Sequence, residues 1–159
     1  MQKFNYHSHT YRCGHADQDY KDEDYIRDYI KMKFEKITFT DHCPEKEKID
    51  KRENIRMDFE QKDEYLESIK QLKKKYSGII EIESGYEVEF LPGEEKNLIE
   101  LKKDVDKIIL GQHFIYDKEK KLNVFGKKEF LDDEIIMYGK YIEKAIELGI
   151  PNIIAHPDI

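Results

Sequence analysis

The sequence predicts a parallel α/β architecture, a sheet or the front part of a βα barrel. The hydrophobic period switches repeatedly between two and 3.6, so short strands alternate with amphipathic helices. No Gly-rich phosphate loop follows the first strand, which argues against a dinucleotide-binding fold. The six histidines fall mostly at or just past the ends of predicted strands. In parallel α/β folds the C-terminal strand ends open on one face, where active sites are built.

Each element follows from its residues. Phe4–His9 alternates as a strand. Asp22–Phe34 is expected to be a helix, with Tyr25, Ile26, Tyr29, Ile30 and Phe34 on one stripe. Lys36–Thr40 is the second strand. Asp58–Tyr76 is expected as a long helix with Tyr65, Leu66, Ile69, Leu72 and Tyr76 at helical spacing, ended by Gly78. Ile79–Glu89 is the third strand, Glu94–Lys103 a short helix and Lys107–Leu110 the fourth strand. Asp132–Leu148 begins with acidic residues and is stopped by Gly149 and Pro151. Asn152–Ala155 is the fifth strand. The sequence ends at Ile159, immediately after it, so a barrel of this kind is expected to be truncated there, with the first and fifth strands as open edges.

At 159 residues the chain is expected to be one domain spanning 1–159. It has no apolar run of membrane-spanning length and no apolar signal segment after Met1, so a cytoplasmic location without membrane association is expected. A net charge of −7 is spread as mixed signs, with Lys73–Lys75 interleaved among acidic residues. That is a solvated surface, and no stable nucleic-acid partner is expected. Cys13 and Cys43 are too few for a disulfide framework and are read as inert thiols, although both lie near histidines.

The chemistry sits in a few segments. His7 and His9 are two apart on a strand and share a face, so two imidazoles can meet one metal ion. His15 and Asp41-His42 follow. Asp41 should point opposite to His42 and orient an imidazole from behind. Glu87 and Glu89 share another strand face. Glu87 is the candidate ligand, able to bridge two ions, and Glu89 is read as an outer or substrate-side group. Gly85 leaves room for a close backbone approach. His113 and His156 each close an apolar strand and complete the metal candidates, with Asp158 beside the latter. Arg56, in the loop before the long helix, is a candidate phosphate clamp, and Arg12 a weaker one.

Together these segments resemble the polymerase and histidinol phosphatase (PHP) superfamily, and within it the histidinol-phosphate phosphatases. The carrying residues are Tyr6-His7-Ser8-His9-Thr10, Cys13-Gly14-His15-Ala16, Thr40-Asp41-His42-Cys43-Pro44, Ile55-Arg56-Met57, Gly85-Tyr86-Glu87-Val88, Leu110-Gly111-Gln112-His113-Phe114 and Ala155-His156-Pro157-Asp158. The resemblance implies a distorted (β/α)7 barrel of which this chain is the N-terminal portion. It implies two or three divalent ions, zinc, manganese or iron. His7, His9 and Glu87 would hold one, Glu87, His113 and His156 a second, and His15 and His42 a third. The later Asp-x-His pair of family members is missing from this sequence. Many relatives also have Gly-Ser-x-His where this chain reads Gly111-Gln112-His113.

The activity so implied is hydrolysis of a small phosphate ester, L-histidinol phosphate, in histidine biosynthesis. No side-chain nucleophile is assigned, because water activated by the ions attacks. The alternatives are a relative acting on phosphotyrosine, a nucleotide or a DNA 3′ end, and an inactive metal-binding fragment. In the last case open edges would pair two chains as a homodimer or by strand swap.

Overall fold

A computed structural model of the chain describes residues 2–44, 55–117 and 120–158, with only the backbone of Asp117 and Lys120. Among them are seven strands and four helices: β1 (Phe4–Ser8), α1 (Asp22–Lys31), β2 (Lys36–His42), α2 (Lys62–Lys75), β3 (Glu81–Val88), α3 (Glu95–Leu101), β4 (Lys107–Leu110), β5 (Phe114–Asp117), β6 (Lys120–Asn123), α4 (Asp132–Glu147) and β7 (Ile153–Ile154). The five strands expected from sequence form one parallel sheet in the order β1-β2-β3-β4-β7. The fold class is therefore the α/β one anticipated. The chain divides into two compact units, residues 1–86 with 105–107, and residues 87–104 with 108–159.

In the first unit β1 lies parallel to β2, and the register slips between Asn5 and Ser8. Tyr6 and His7 of β1 there face the single residue Thr38 of β2, an irregularity of the kind that re-aims a side chain. The Asn5 side chain supports it, accepting from the His7 N–H (3.1 Å) and donating to Ser8 Oγ (2.8 Å). Ile26, Ile37, Phe39, Tyr65, Ile69 and Tyr86 are wholly buried here. Each such side chain contributes roughly 1.5–3 kcal/mol by burial. Tyr65 also places its hydroxyl 3.0 Å from Phe39 O and 2.9 Å from Gly85 O, fastening α2 to β2 and β3. Gly85 is required where it stands: a Cβ would lie 2.6 Å from Lys107 O.

In the second unit Ile109 and Leu110 of β4 pair with Ile153 and Ile154 of β7. The Asn152 side chain ties the start of this pair, its Oδ1 accepting from Ile108 N at 2.9 Å. Ile108, Ile109, Leu110, Ile115, Ala145 and Ile150 are fully buried. Acidic residues open α4, and Gly149 (φ +64°) follows its end.

Several boundaries differ from expectation. The first helix stops at Lys31, because the chain turns back through Lys33 (φ 62°) and Phe34 N bonds Tyr29 O. Phe34 nevertheless joins the stripe, its ring meeting that of Tyr29 edge-to-face with centroids 4.7 Å apart. The long helix begins as a 3-10 turn, Phe59–Gln61, before α2. Ile79 and Ile80 belong to the turn closing α2, since both N–H groups bond Tyr76 O. The β5–β6 hairpin is an addition to the five strands expected, from a stretch whose charged residues gave no strand period.

Candidate metal centre

In the first unit the imidazoles of four predicted residues converge. His7 Nε2 and His9 Nε2 lie 3.2 Å apart, and His7 Nδ1 is 3.1 Å from Thr40 Oγ1. The ring of His9 is 4.7 Å from those of both His15 and His42. One ligand atom from each of His9, His15 and His42 falls within 4.8 Å of the others, a spacing that one ion can span. His42 is the last residue of β2 and buried, whereas His15 is exposed on the loop after β1.

Asp41, beside His42, is fully buried and accepts from both the N–H and the hydroxyl of Thr10. Burial raises its pKa, against the lowering effect of the Thr10 bonds and of His9 and Arg12. Its Oδ1 is 4.0 Å from His9 Nδ1. Beside that pair, its bonds to Thr10 hold the backbone next to His9. Cys13 is buried and Cys43 partly so. Cys13 also offers its sulfur within 4.8 Å of ligand atoms of His9 and Asp41.

Neither arginine appears as a bare clamp. Arg12 is buried and gives its guanidinium to Glu64 (2.8 Å twice) and Asp22 (2.9 Å), which corrects its reading as a phosphate candidate. Arg56 Nη1 donates to Cys43 O at 3.4 Å, tethered next to His42. Residues 45–54 before it lie outside the described residues.

In the second unit a carboxylate sits between two imidazoles. Glu87 Oε1, at the end of β3, is 3.2 Å from His156 Nε2 and 3.6 Å from His113 Nε2. Gly111 makes this possible: a Cβ there would stand 1.9 Å from Glu87 Oε1. Glu89 forks onto His113, accepting from its backbone N–H and lying against Nδ1, both at 2.7 Å. A carboxylate only accepts, so Nδ1 holds the proton and Nε2 is left for an ion. Of the outer and substrate-side roles expected for Glu89, this orienting contact is of the outer kind.

Gln112 clips the segment before His113 to the stretch just past β3, its Oε1 accepting from Phe90 N and its Nε2 donating to Phe90 O, both 3.0 Å. His156 has φ 29°, an uncommon conformation for a residue with a side chain and more so before proline. Phe125, half exposed, rests its ring 5.3 Å from that of His113. Burial raises the Tyr138 pKa, with Asp158 and Glu89 adding to it. Thr10, Gly111, Gln112, Phe125 and Tyr138 were not singled out for the site. Of these only Gly111, a glycine closing an apolar strand before a histidine, carried a signal.

The donor sets fit divalent ions: imidazoles in one unit, imidazoles with one carboxylate in the other, arranged with a glycine cradle and an orienting carboxylate. Residues 5–158 match the family model described as the PHP domain. This chain belongs to the PHP domain family.

Among its relatives, the PHP chain is 32% identical over 123 residues to the histidinol-phosphatase of Bacillus subtilis (strain 168), covering 72% of itself and 45% of that protein. It is 26% identical over 159 residues to a Deinococcus radiodurans protein carrying the histidinol-phosphatase name, covering 96% of itself and 59% of that protein. It thus spans about half the length of these relatives. A Listeria monocytogenes structure bearing the same enzyme name shares its fold with a TM-score of 0.79 at 21% identity, covering 98% of this PHP chain and 66% of the other. A Lactococcus lactis histidinol phosphate phosphatase, solved with zinc, L-histidinol and phosphate, superposes with a TM-score of 0.71 at 18% identity, covering 99% and 58%. No described helix of the PHP chain is long and apolar enough to cross a membrane.

Proposed function

We propose that this chain carries the metal-binding portion of a phosphomonoesterase that converts L-histidinol phosphate and water to L-histidinol and phosphate. The observation that carries the reading is the Glu87 carboxylate between His113 and His156, with Gly111 leaving the space it needs. Support comes from the histidinol-phosphatase names of the relatives and from the zinc, L-histidinol and phosphate held by the Lactococcus lactis protein.

The ligand assignment is part of the proposal. His9, His15 and His42, with His7 beside them, hold one ion. Glu87, His113 and His156 hold another. Zinc, manganese and iron all suit such donors. When bound, divalent ions lower the pKa of water and neutralise phosphoryl charge. The chain's own residues supply geometry: Glu89 keeps the proton on His113 Nδ1, Asp41 with Thr10 fixes the backbone beside His9, and Arg56 stands beside Cys43 as the candidate phosphate contact.

The test is phosphate release from L-histidinol phosphate by the metal-loaded chain, beside phosphotyrosine, a nucleoside monophosphate and a 3′-phosphorylated oligonucleotide. Preference for histidinol phosphate, lost in Glu87→Ala, is the expected result. Turnover that persists in metal-stripped Glu87→Ala sinks the proposal. A second reading is a metal-binding chain that pairs with another copy and has no turnover of its own. The exposed apolar side chains of Ile135, Ile136 and Ile146 on α4 favour it. Bound metal without phosphate release, in a dimer by sedimentation, is its signature.

A further inference from the structure

The Arg12 network is the least ordinary feature of the first unit that the proposed chemistry does not use. Arg12 is 5% exposed, and its partner Asp22 4%. Its Nε and Nη2 donate to the two oxygens of Glu64 on α2, each at 2.8 Å. Its Nη1 donates to Asp22 Oδ1 on α1 at 2.9 Å and to Thr10 Oγ1 at 3.1 Å. Asp22 is held in turn by Ser68 Oγ at 2.6 Å. Thr10 passes the connection on, donating its hydroxyl and its N–H to the two oxygens of Asp41. The guanidinium lies 4.4 Å from the Tyr11 ring centroid, which covers one face.

The ends of this chain of contacts are telling. Thr10 follows His9, Asp41 precedes His42, and Arg12 belongs to the loop that carries His15. That loop has little regular structure of its own; its backbone turns are closed by Cys13 N to Thr10 O (3.0 Å), Ala16 N to Cys13 O (2.9 Å) and Tyr20 N to Asp17 O (3.3 Å). The fork therefore joins the loop of His15 to the segment of His9 directly, and reaches that of His42 through Thr10 and Asp41. A buried ion network of this kind is weak evidence for stability, because desolvation offsets the attraction. Its use in fixing geometry is the better account, since arginine's five donors are set in a rigid plane that lysine cannot reproduce.

We propose that Arg12 is a positioning residue for the imidazole site, presetting the backbones of His9, His15 and His42 through Thr10 and Asp41 while braced on Glu64 and Asp22. The inference rests on reading those three histidines as metal ligands.

The test measures zinc affinity by competition with a chromophoric chelator, per folded molecule. The full 159-residue chain is used in a His113→Ala/His156→Ala background, so that the ion counted belongs to the first unit. Melting of the metal-free protein is followed in parallel. Arg12→Lys keeps the charge and loses the fork. Glu64→Gln removes one brace at a half-exposed position, so that folding is retained. Supporting groups of this sort are worth about 10–100-fold in metal affinity. Arg12→Lys is expected to weaken zinc by that amount, and Glu64→Gln in the same direction, beyond any loss of folded protein. Unchanged zinc affinity in both folded variants overturns the inference and leaves the ligand reading standing. So does a drop in metal-free melting with affinity per folded molecule intact, the mark of a purely structural network. Failure of the background chain itself to bind zinc removes the ligand reading and this inference with it.

Discussion

Gly111 decides the second ligand set by having no side chain. A Cβ there would stand 1.9 Å from Glu87 Oε1 and 2.7 Å from its Cδ, so Gly111→Ala forces the carboxylate away from His113 and His156. Metal affinity should fall at least as far as for loss of a supporting group, about 10–100-fold, readable by chelator competition. An unchanged affinity means that Glu87 is no ligand. Glu89→Ala tests the neighbouring contact. Without Glu89, His113 loses the acceptor at Nδ1 and the one at its backbone N–H, and a fall of about 10–100-fold is again expected, with Glu87 left in place. The residue types were legible because imidazoles and carboxylates at strand ends have few other uses. Their supports were not. Thr10 and Gln112 are ordinary polar residues, and their roles exist only once strands far apart in sequence lie side by side. Arg12 was legible as a charge but not as a buried one, since its partners Asp22 and Glu64 lie 10 and 52 residues away.

The elements are fastened by a few cross-links whose loss has a readable sign. Tyr65→Phe removes the buried hydroxyl that ties α2 to Phe39 O and Gly85 O. A cost of about 1–2 kcal/mol is expected, seen as a lower urea midpoint at unchanged slope. Between α1 and α2, Glu23 accepts from Lys75 Nζ and Tyr76 Oη, each at 2.7 Å. Those two bonds, Lys75 first, pull its pKa from 4.5 to about 2. A depressed carboxylate stabilises the fold above its unfolded pKa and loses that effect as pH falls through the folded one. The melting difference between the unaltered chain and Glu23→Gln should therefore be full at pH 6 and shrink from about pH 4.5 towards pH 2. A difference that grows on acidification contradicts the assignment. The elements read best from sequence were those with an uninterrupted apolar pattern: β4 coincides with the expected Lys107–Leu110, and α4 is one residue shorter than expected. The β5–β6 hairpin escaped because charged residues interrupt its two strands and leave no strand period to read.

For the whole molecule, metal and folding are linked. Neither imidazole set is preformed in the unfolded chain: His9 and His42 are 33 residues apart, and Glu87 and His156 are 69. An ion held by either set therefore binds the folded state preferentially and stabilises it by mass action, about 2.7 kcal/mol at a hundredfold excess over Kd. For a chain of this size that corresponds to a rise in Tm of about 5–10 °C. Chelator-treated protein should melt lower by this margin and recover on adding zinc or manganese, while magnesium, which favours oxygen donors, restores less. The sign with pH is fixed by the ligands. Imidazole must lose its proton to bind, so the metal-dependent part of Tm should be full near pH 8 and fade below about pH 6. A chelator effect independent of pH would point to binding by carboxylates alone. Substitution separates the sets: His42→Ala should remove one part of the rise and His156→Ala the other, and the two losses should add if each unit holds its own ion. Loss of the entire rise in either single variant would show the two sets bind as one.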